Sequence, residues 1–219
     1  MFLQRMADFF YPRFCLHCDR KLVSQYRTFC QICLEHFSLI SPHVRCPYCF
    51  KEACRCHLLH FSTAKRRAAL WMRLGACATW ISSLEKGEYA HLPSTVAFMQ
   101  MQMALLQWPM PECIVPLPFS PWRSWKSGGN LPILLAKQCA KKLQSTFVPA
   151  LRVGWDRSAW EMQGDIKGTC LFRKGKEKQL KEKRVLLIAH TLQEDLLLQA
   201  ENIIASSHPK EMYVIALSD

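Results

Sequence analysis

Three CxxC pairs near the amino terminus restrict what this chain can fold into more than any other feature. Eight of its twelve cysteines fall within residues 15–56. A CxxC turn places two thiolates on one side of a tight loop, and two such turns complete a tetrahedral shell for Zn²⁺. We therefore predict a cysteine-rich zinc module over residues 1–60. Its metal is expected to be structural, because every ligand is a protein atom.

The pairing of these cysteines has more than one solution at the level of sequence. The simplest arrangement has two sites, made by Cys15, Cys18, Cys30 and Cys33 and by Cys46, Cys49, Cys54 and Cys56. The Cys54-x-Cys56 spacing is tight, so His57 or His60 could replace one thiol of the second site. Interleaved pairing of the turns is also compatible with the spacing. Free or redox-active thiols are the less favoured alternative.

The positive charge of the chain is concentrated in one segment. The net charge is +12, and residues 121–184 hold fifteen basic and five acidic side chains. Such a segment is typical of contact with an anionic partner, either nucleic acid or a phosphorylated ligand. A solvated, solubilising face is the alternative.

The apolar segments of the chain are short. No apolar run approaches the ~18 residues that a membrane span requires. Met1–Tyr11 is amphipathic and lacks the continuous apolar run and the small-residue cleavage site of a signal peptide. We therefore expect no membrane span and a cytoplasmic location.

Apolar periodicity predicts alternating strands and helices in the rest of the chain. The predicted helices are Ser62–Lys86, Ser94–Trp108, Asn130–Leu143 and Gln193–Ser206, and the predicted strands are Cys113–Leu117, Phe147–Leu151, Val185–Ile188 and Met212–Leu217. Pro118–Gly129 and the lysine-rich Lys174–Lys183 are predicted loops. This alternation indicates an α/β fold with a parallel sheet flanked by helices. We place the domain at residues 61–219, with a helical lead-in over residues 61–110.

The strand, turn and helix of Arg184–Ser206 form the candidate ligand site of this domain. In open α/β sheets, ligands bind beyond the carboxyl ends of the strands, and a helix amino terminus there favours a phosphate. This turn, however, contains no glycine, and Glu194 and Asp195 stand at the start of its helix. The segment therefore has the framework of an anion site without the usual chemistry.

Three further segments of the chain are informative, namely FFYPRFCLHC, IVPLPFSPWRSWKSGGNLPILLAKQCAKKL and GDIKGTCLF. The first two, and the third more weakly, resemble segments of the ComF family, whose members are linked to DNA uptake in natural competence. The resemblance covers nearly the full length and implies a zinc module followed by a type I phosphoribosyltransferase-like domain. Arg123, Lys126, Gly128 and Asn130 match or are similar to family residues. The Arg, Phe and Gln of the family's RGFNQ motif are here Ser127, Gly129 and Leu131.

The chain departs from the family in the segment that would bind phosphoribosyl pyrophosphate. The family sequence VLLVDDVxTTGATL is here VLLIAHTLQEDLLL. The resemblance implies that the two aspartates bind ribose hydroxyls and that TTGAT cradles the 5′-phosphate. Ala189 and His190 replace the aspartates, and Gln193, Glu194, Asp195, Leu196 and Leu197 replace TTGAT. Carboxylates in the first helical turn repel a phosphate. We therefore predict a retained scaffold with no catalytic residues at these positions.

Three functions are compatible with the sequence. The first is a non-catalytic ComF-like protein that binds single-stranded DNA or a DNA-uptake protein, with Arg123, Lys126, Asn130, Arg152 and Arg157 as the candidate nucleic-acid or phosphate contacts. Trp122, Trp125, Trp155 and Trp160 lie among these cations and suit base stacking, unless they belong to the core. The second is an active, divergent phosphoribosyltransferase that uses phosphoribosyl pyrophosphate and Mg²⁺. The third is a structural zinc protein that docks an acidic protein.

Overall fold

A five-stranded parallel sheet forms the centre of the computed structural model. The structure describes residues 13–22, 28–46, 48–52, 54, 66–154, 170–173, 175–192 and 195–219. The strands of the sheet are β1 (Arg66–Trp71), β2 (Cys113–Pro116), β3 (Thr146–Phe147), β6 (Arg184–Thr191) and β7 (Glu211–Ser218), and their order in the sheet is β1-β7-β6-β2-β3. A separate antiparallel pair consists of β4 (Leu151–Val153) and β5 (Cys170–Phe172). The predicted α/β class with a parallel sheet is confirmed.

One short helix precedes the sheet along the chain, and the other helices occur in the connections between its strands. They are α1 (Gln31–Glu35), α2 (Gly75–Glu85), α3 (Leu92–Leu105), α4 (Pro121–Lys126), α5 (Leu131–Leu143) and α6 (Asp195–Ala205). Short 3-10 turns occur at Pro42–Val44, Tyr89–His91 and Glu177–Gln179. Among the helices of the described residues, none has the length and apolar character needed to cross a membrane.

The middle strand, β6, sets the register of the sheet. Ile188 lies opposite Pro116 of β2 and Ile215 of β7, and every residue from 185 to 190 is buried. Strands buried on both faces are expected to be nearly continuous apolar runs, as this one is. Because the strands are parallel, the segments that follow β1, β2, β6 and β7 meet at one edge, which we call the carboxyl edge.

The helix predicted over Ser62–Lys86 is wrong in its first half. Arg66–Trp71 form β1, and α2 begins only at Gly75. Residues 68–71 are fully buried, and a short apolar run does not distinguish a buried strand from a helix by its periodicity. Gly75 has a φ of 52°, in the left-handed region that favours glycine, and this residue separates the turn from the helix.

Two smaller boundaries also differ from the prediction. The predicted loop over Pro118–Gly129 contains α4, whose amino end is capped by the Ser120 hydroxyl accepting from the Arg123 N–H at 3.3 Å. The strand predicted over Phe147–Leu151 is two separate pieces, because β3 ends at Phe147 and β4 begins at Leu151.

The cysteine-rich segment shares its core with the α/β domain. Phe29 stacks on Trp80 of α2 at 5.7 Å between ring centroids, and Phe37 contacts Trp71 of β1 at 5.2 Å. The Ile40 N–H donates to the Leu70 carbonyl at 2.9 Å, so this segment runs beside β1. The folding of the cysteine-rich segment and the packing of β1 and α2 therefore depend on each other.

Candidate functional site

The first cysteine cluster has the dimensions of a four-thiolate metal site. The Sγ atoms of Cys15, Cys18, Cys30 and Cys33 all lie within 4.8 Å of one another. A Zn–S bond of about 2.3 Å implies about 3.8 Å between sulfurs of a tetrahedral site, and Cys18 Sγ lies 3.6 Å from Cys30 Sγ. That distance is too long for a disulfide. The first two CxxC turns are therefore grouped together and are positioned to bind zinc.

Backbone N–H groups favour the thiolate form of Cys15, whereas burial raises the pKa of the Cys33 thiol. Burial raises the pKa of the Cys15 thiol, but hydrogen bonds from the backbone N–H groups of Cys18, Cys30 and His17 outweigh it and bring the pKa down to about 6. Because a thiolate is the form that ligates metal, this arrangement prepares Cys15 to be a ligand.

A second cluster brings Cys46, Cys49 and Cys54 together, with Sγ atoms again within 4.8 Å of one another. The other predicted or alternative ligands, Cys56, His57 and His60, lie outside the described residues. Arg45 precedes this cluster and joins it to the carboxyl edge, since its guanidinium group lies 2.6 Å from an Asp219 carboxylate oxygen. The second cluster is also positioned to bind zinc.

A polar network of four side chains lies at the carboxyl edge, built around Glu85 at the end of α2. Glu85 Oε1 accepts a hydrogen bond from Arg73, which follows β1, and lies 2.7 Å from His190 Nε2 near the end of β6. Arg123 of α4 approaches the same oxygen to 4.0 Å. His190 is 3% exposed and Glu85 is 27% exposed, so the network is partly shielded from water.

The contacts of His190 determine its tautomer. Arg123 Nη2 lies 3.2 Å from His190 Nδ1, and a guanidinium group can only donate. Nδ1 therefore accepts, and the ring proton is assigned to Nε2, from which it donates to Glu85. In this arrangement His190 links Arg123 to Glu85.

Acid should weaken this network. Burial of the Glu85 carboxyl opposes its ionisation, but the hydrogen bond from His190 and the positive charge of Arg73 outweigh it, so the Glu85 pKa lies below its usual value. The carboxylate thus stabilises the fold above the unfolded-state pKa, and this stabilisation is lost as the pH falls through the lower folded-state pKa. We expect the urea midpoint of the wild type to exceed that of Glu85→Gln at about pH 6 and to lose this advantage near pH 3. Glu88→Gln, in the following exposed turn, is the control. A difference that is constant across this pH range would contradict the assignment.

The helix α4 presents an aromatic and cationic surface beside this network. Trp125 is 75% exposed and Trp122 is 42% exposed, with 5.2 Å between their ring centroids. Arg123 lies over the Phe119 ring at 4.0 Å, while Lys126 is exposed at the end of the helix. The two tryptophans therefore do not belong to the core.

The other predicted contacts lie elsewhere or have structural roles. The Asn130 side chain clamps its own loop, because its amide accepts from the Phe119 N–H and donates to the Phe119 carbonyl, both at 3.2 Å. Arg152 is exposed on β4, in the separate two-stranded sheet. The remaining predicted residues of the basic segment, Trp155, Arg157 and Trp160, lie outside the described residues.

The candidate ligand segment over Arg184–Ser206 is only partly described. Ala189 is fully buried within β6 opposite Ala216 of β7. Its methyl group has no donor or acceptor to offer a ligand. Asp195 begins α6, whereas Gln193 and Glu194 lie outside the described residues.

Sequence reasoning did not identify Arg73 and Glu85 as members of the site. Both fell inside the single helix predicted over Ser62–Lys86, where nothing marked them as neighbours of His190. The usable signal was the glycine at position 75, directly after the apolar run and Arg73, because such a break is typical of the turn that follows a strand.

No protein-family model matches this chain, and no curated protein matches it. The likeness to ComF proteins therefore depends on the sequence segments quoted for it and on the architecture. The described part of the chain has the two features that the likeness implies at a coarse level, namely an amino-terminal cysteine-rich module and a parallel-sheet α/β domain.

Proposed function

We propose that this chain is a non-catalytic ComF-like protein that acts in DNA uptake and binds single-stranded DNA on α4. The observation that carries the proposal is the pair of exposed tryptophans, Trp122 and Trp125, on a cationic helix at the carboxyl edge. Stacking on bases would cover this aromatic surface, and each stacked base contributes about 1–3 kcal/mol. Lys126 and the excess of basic residues over 121–184 supply charge for the phosphates.

The carboxylates at the carboxyl edge are already paired with cations or with His190, which favours a non-catalytic role. A phosphoribosyltransferase would need Mg²⁺, which takes oxygen ligands at near-ideal octahedral geometry. Glu85 is shared by Arg73 and His190, and Asp219 is held by Arg45. The described residues of this edge are thus a poor fit to a Mg²⁺ site. We expect calorimetric titration with phosphoribosyl pyrophosphate and Mg²⁺ to give no saturable heat, whereas micromolar binding would favour an active enzyme.

Removing the more exposed tryptophan should weaken binding to single-stranded DNA. We expect Trp125→Ala to raise the Kd for a thymidine oligonucleotide about tenfold, because it removes one stacking contact. Fluorescence anisotropy of a labelled oligonucleotide, at about 50 mM and about 200 mM salt, measures both the Kd and its salt dependence. Leu105→Ala is the matched control, since Leu105 is 53% exposed on α3. Equal losses in the two variants, or wild-type binding without salt dependence, would contradict the proposal.

A further inference from the structure

Glu85 occupies the position that an anionic ligand would take at the carboxyl edge. One of its carboxylate oxygens receives a hydrogen bond from Arg73, lies 2.7 Å from His190 and lies 4.0 Å from Arg123. Arginine recognises carboxylate and phosphate alike, because its planar fork of N–H donors matches the oxygens of both. Two guanidinium groups and an imidazole therefore converge on one carboxylate oxygen as they would on a phosphate oxygen.

We propose that Arg73, Arg123 and His190 form a phosphate-binding site, and that Glu85 occupies it as an internal competitor. The ligand class is a phosphate group, which can come from a nucleic-acid strand on α4 or from free inorganic phosphate. Where the strand is the source, the inference rests on the proposed function. Where free phosphate is the source, it does not.

The site is exposed to solvent on the side of the two arginines and buried on the side of His190. The Arg73 and Arg123 side chains are 47% and 44% exposed, so both guanidinium groups can be reached from solvent. His190 is 3% exposed and forms the floor. A phosphate can therefore approach from outside and exchange for the Glu85 carboxylate without unfolding of β6.

The orientation of Arg123 links this site to the exposed tryptophans. Its guanidinium group is held over the Phe119 ring at 4.0 Å and contacts His190, while its backbone lies between Trp122 and Trp125 on α4. A phosphate bound to Arg123 would therefore belong to a strand whose bases can reach the two indole rings. Glu85 lowers the positive potential at this point and so limits the affinity of the strand.

Neutralising Glu85 should strengthen phosphate binding. Glu85→Gln keeps the shape of the side chain and removes the competing charge, and we expect a fivefold or greater decrease in Kd, roughly the effect of one nearby charge in partial solvent. Calorimetry with inorganic phosphate and anisotropy with a thymidine oligonucleotide distinguish the two sources of phosphate. For the oligonucleotide, the slope of log K against log salt should steepen by about 0.7 for each arginine released to a phosphate.

Glu112→Gln is the matched control for this experiment. Glu112 is also a carboxylate between cations, since its oxygens lie 3.4 Å from Lys183 Nζ and 3.7 Å from Arg184 Nε, but it lies at the opposite edge of the sheet. Its variant should leave both affinities unchanged. Arg73→Ala, added to Glu85→Gln, should abolish the gain, because the gain depends on the released guanidinium group.

A second measurement does not depend on the folding of Glu85→Gln. Arg73→Ala removes one cation of the site and leaves the charge of Glu85 beside Arg123, so it should raise the Kd for inorganic phosphate several-fold. Lys183→Ala, at the opposite edge of the sheet, should leave this Kd unchanged. An unchanged Kd in Arg73→Ala, or a folded Glu85→Gln variant that gains affinity for neither ligand, overturns the proposal that Glu85 is an internal competitor.

The outcomes also separate this inference from the proposed function. If Trp125→Ala binds the oligonucleotide more weakly than the wild type but Glu85→Gln gains no affinity, nucleic-acid binding is supported and the role of Glu85 as a competitor is refuted. If Glu85→Gln gains affinity for inorganic phosphate while the wild type does not bind the oligonucleotide, the phosphate site is supported and the proposed function is refuted.

Discussion

Replacing Cys33 with serine is expected to release the metal from the first cysteine cluster and to lower the free energy of unfolding by about 5 kcal/mol or more. Structural Zn²⁺ sites in small modules contribute about 10–16 kcal/mol of apparent binding free energy, and this is folding free energy. Cys33 is buried with its sulfur among those of Cys15, Cys18 and Cys30. Elemental analysis of the purified chain gives the zinc content, and urea unfolding gives the stability.

The loss should extend beyond the cysteine-rich segment. Phe29 stacks on Trp80 and Phe37 contacts Trp71, so disorder in the module exposes one side of α2 and β1. Cys139→Ser is the control, because Cys139 is an equally buried thiol in α5 outside both clusters. It should leave the zinc content unchanged. Equal zinc content in Cys33→Ser and the wild type would refute the assignment of the cluster as a metal site.

Removing the Arg67 side chain is expected to lower the free energy of unfolding by about 3–5 kcal/mol. Arg67 of β1 lies 2.5 Å from Glu201 of α6, and the Glu201 side chain is 0% exposed. Arg67→Ala removes one partner of a buried ion pair, and breaking such a pair on one side is strongly destabilising. Urea unfolding measures the loss, provided that the transition stays two-state.

Two comparisons test the physical reason for this loss. Lys183→Ala removes the cation of an exposed pair, since Lys183 is 50% exposed and lies 3.4 Å from Glu112, and such pairs contribute about 0–1 kcal/mol. The double variant Arg67→Met with Glu201→Leu replaces both charges by apolar groups and should recover most of the lost stability. A loss below about 1 kcal/mol in Arg67→Ala would contradict the large contribution expected of this buried ion pair.

The elements that local sequence predicted best are those whose own residues decide their structure. α5 repeats buried Leu131, Leu135 and Cys139 at helical spacing, and Asn130 stands directly before it as expected. β6 and β7 are apolar runs too short for helices and bounded by polar residues. By contrast, β1 has only six residues, and apolar residues recur beyond it into α2, so that only Arg73 and Gly75 mark the end of the strand. Its pairing with β7, from the far end of the chain, decides that it is a strand.

The two candidate sites differ in the same way. The first cysteine cluster is built from two CxxC turns that lie close in the chain. Spacing made this grouping the simplest one but left interleaved pairing open, and the structure brings these four thiols together. The network at the carboxyl edge joins Arg73 to His190 across 117 residues and Arg123 to His190 across 67. No local pattern records such contacts, because parallel strands become neighbours only when the sheet assembles. Residue types and spacing thus determined the first cysteine cluster and the α/β class. The folding of the sheet determined that Glu85, from a helix distant in sequence from β6, would lie close to both arginines at that edge.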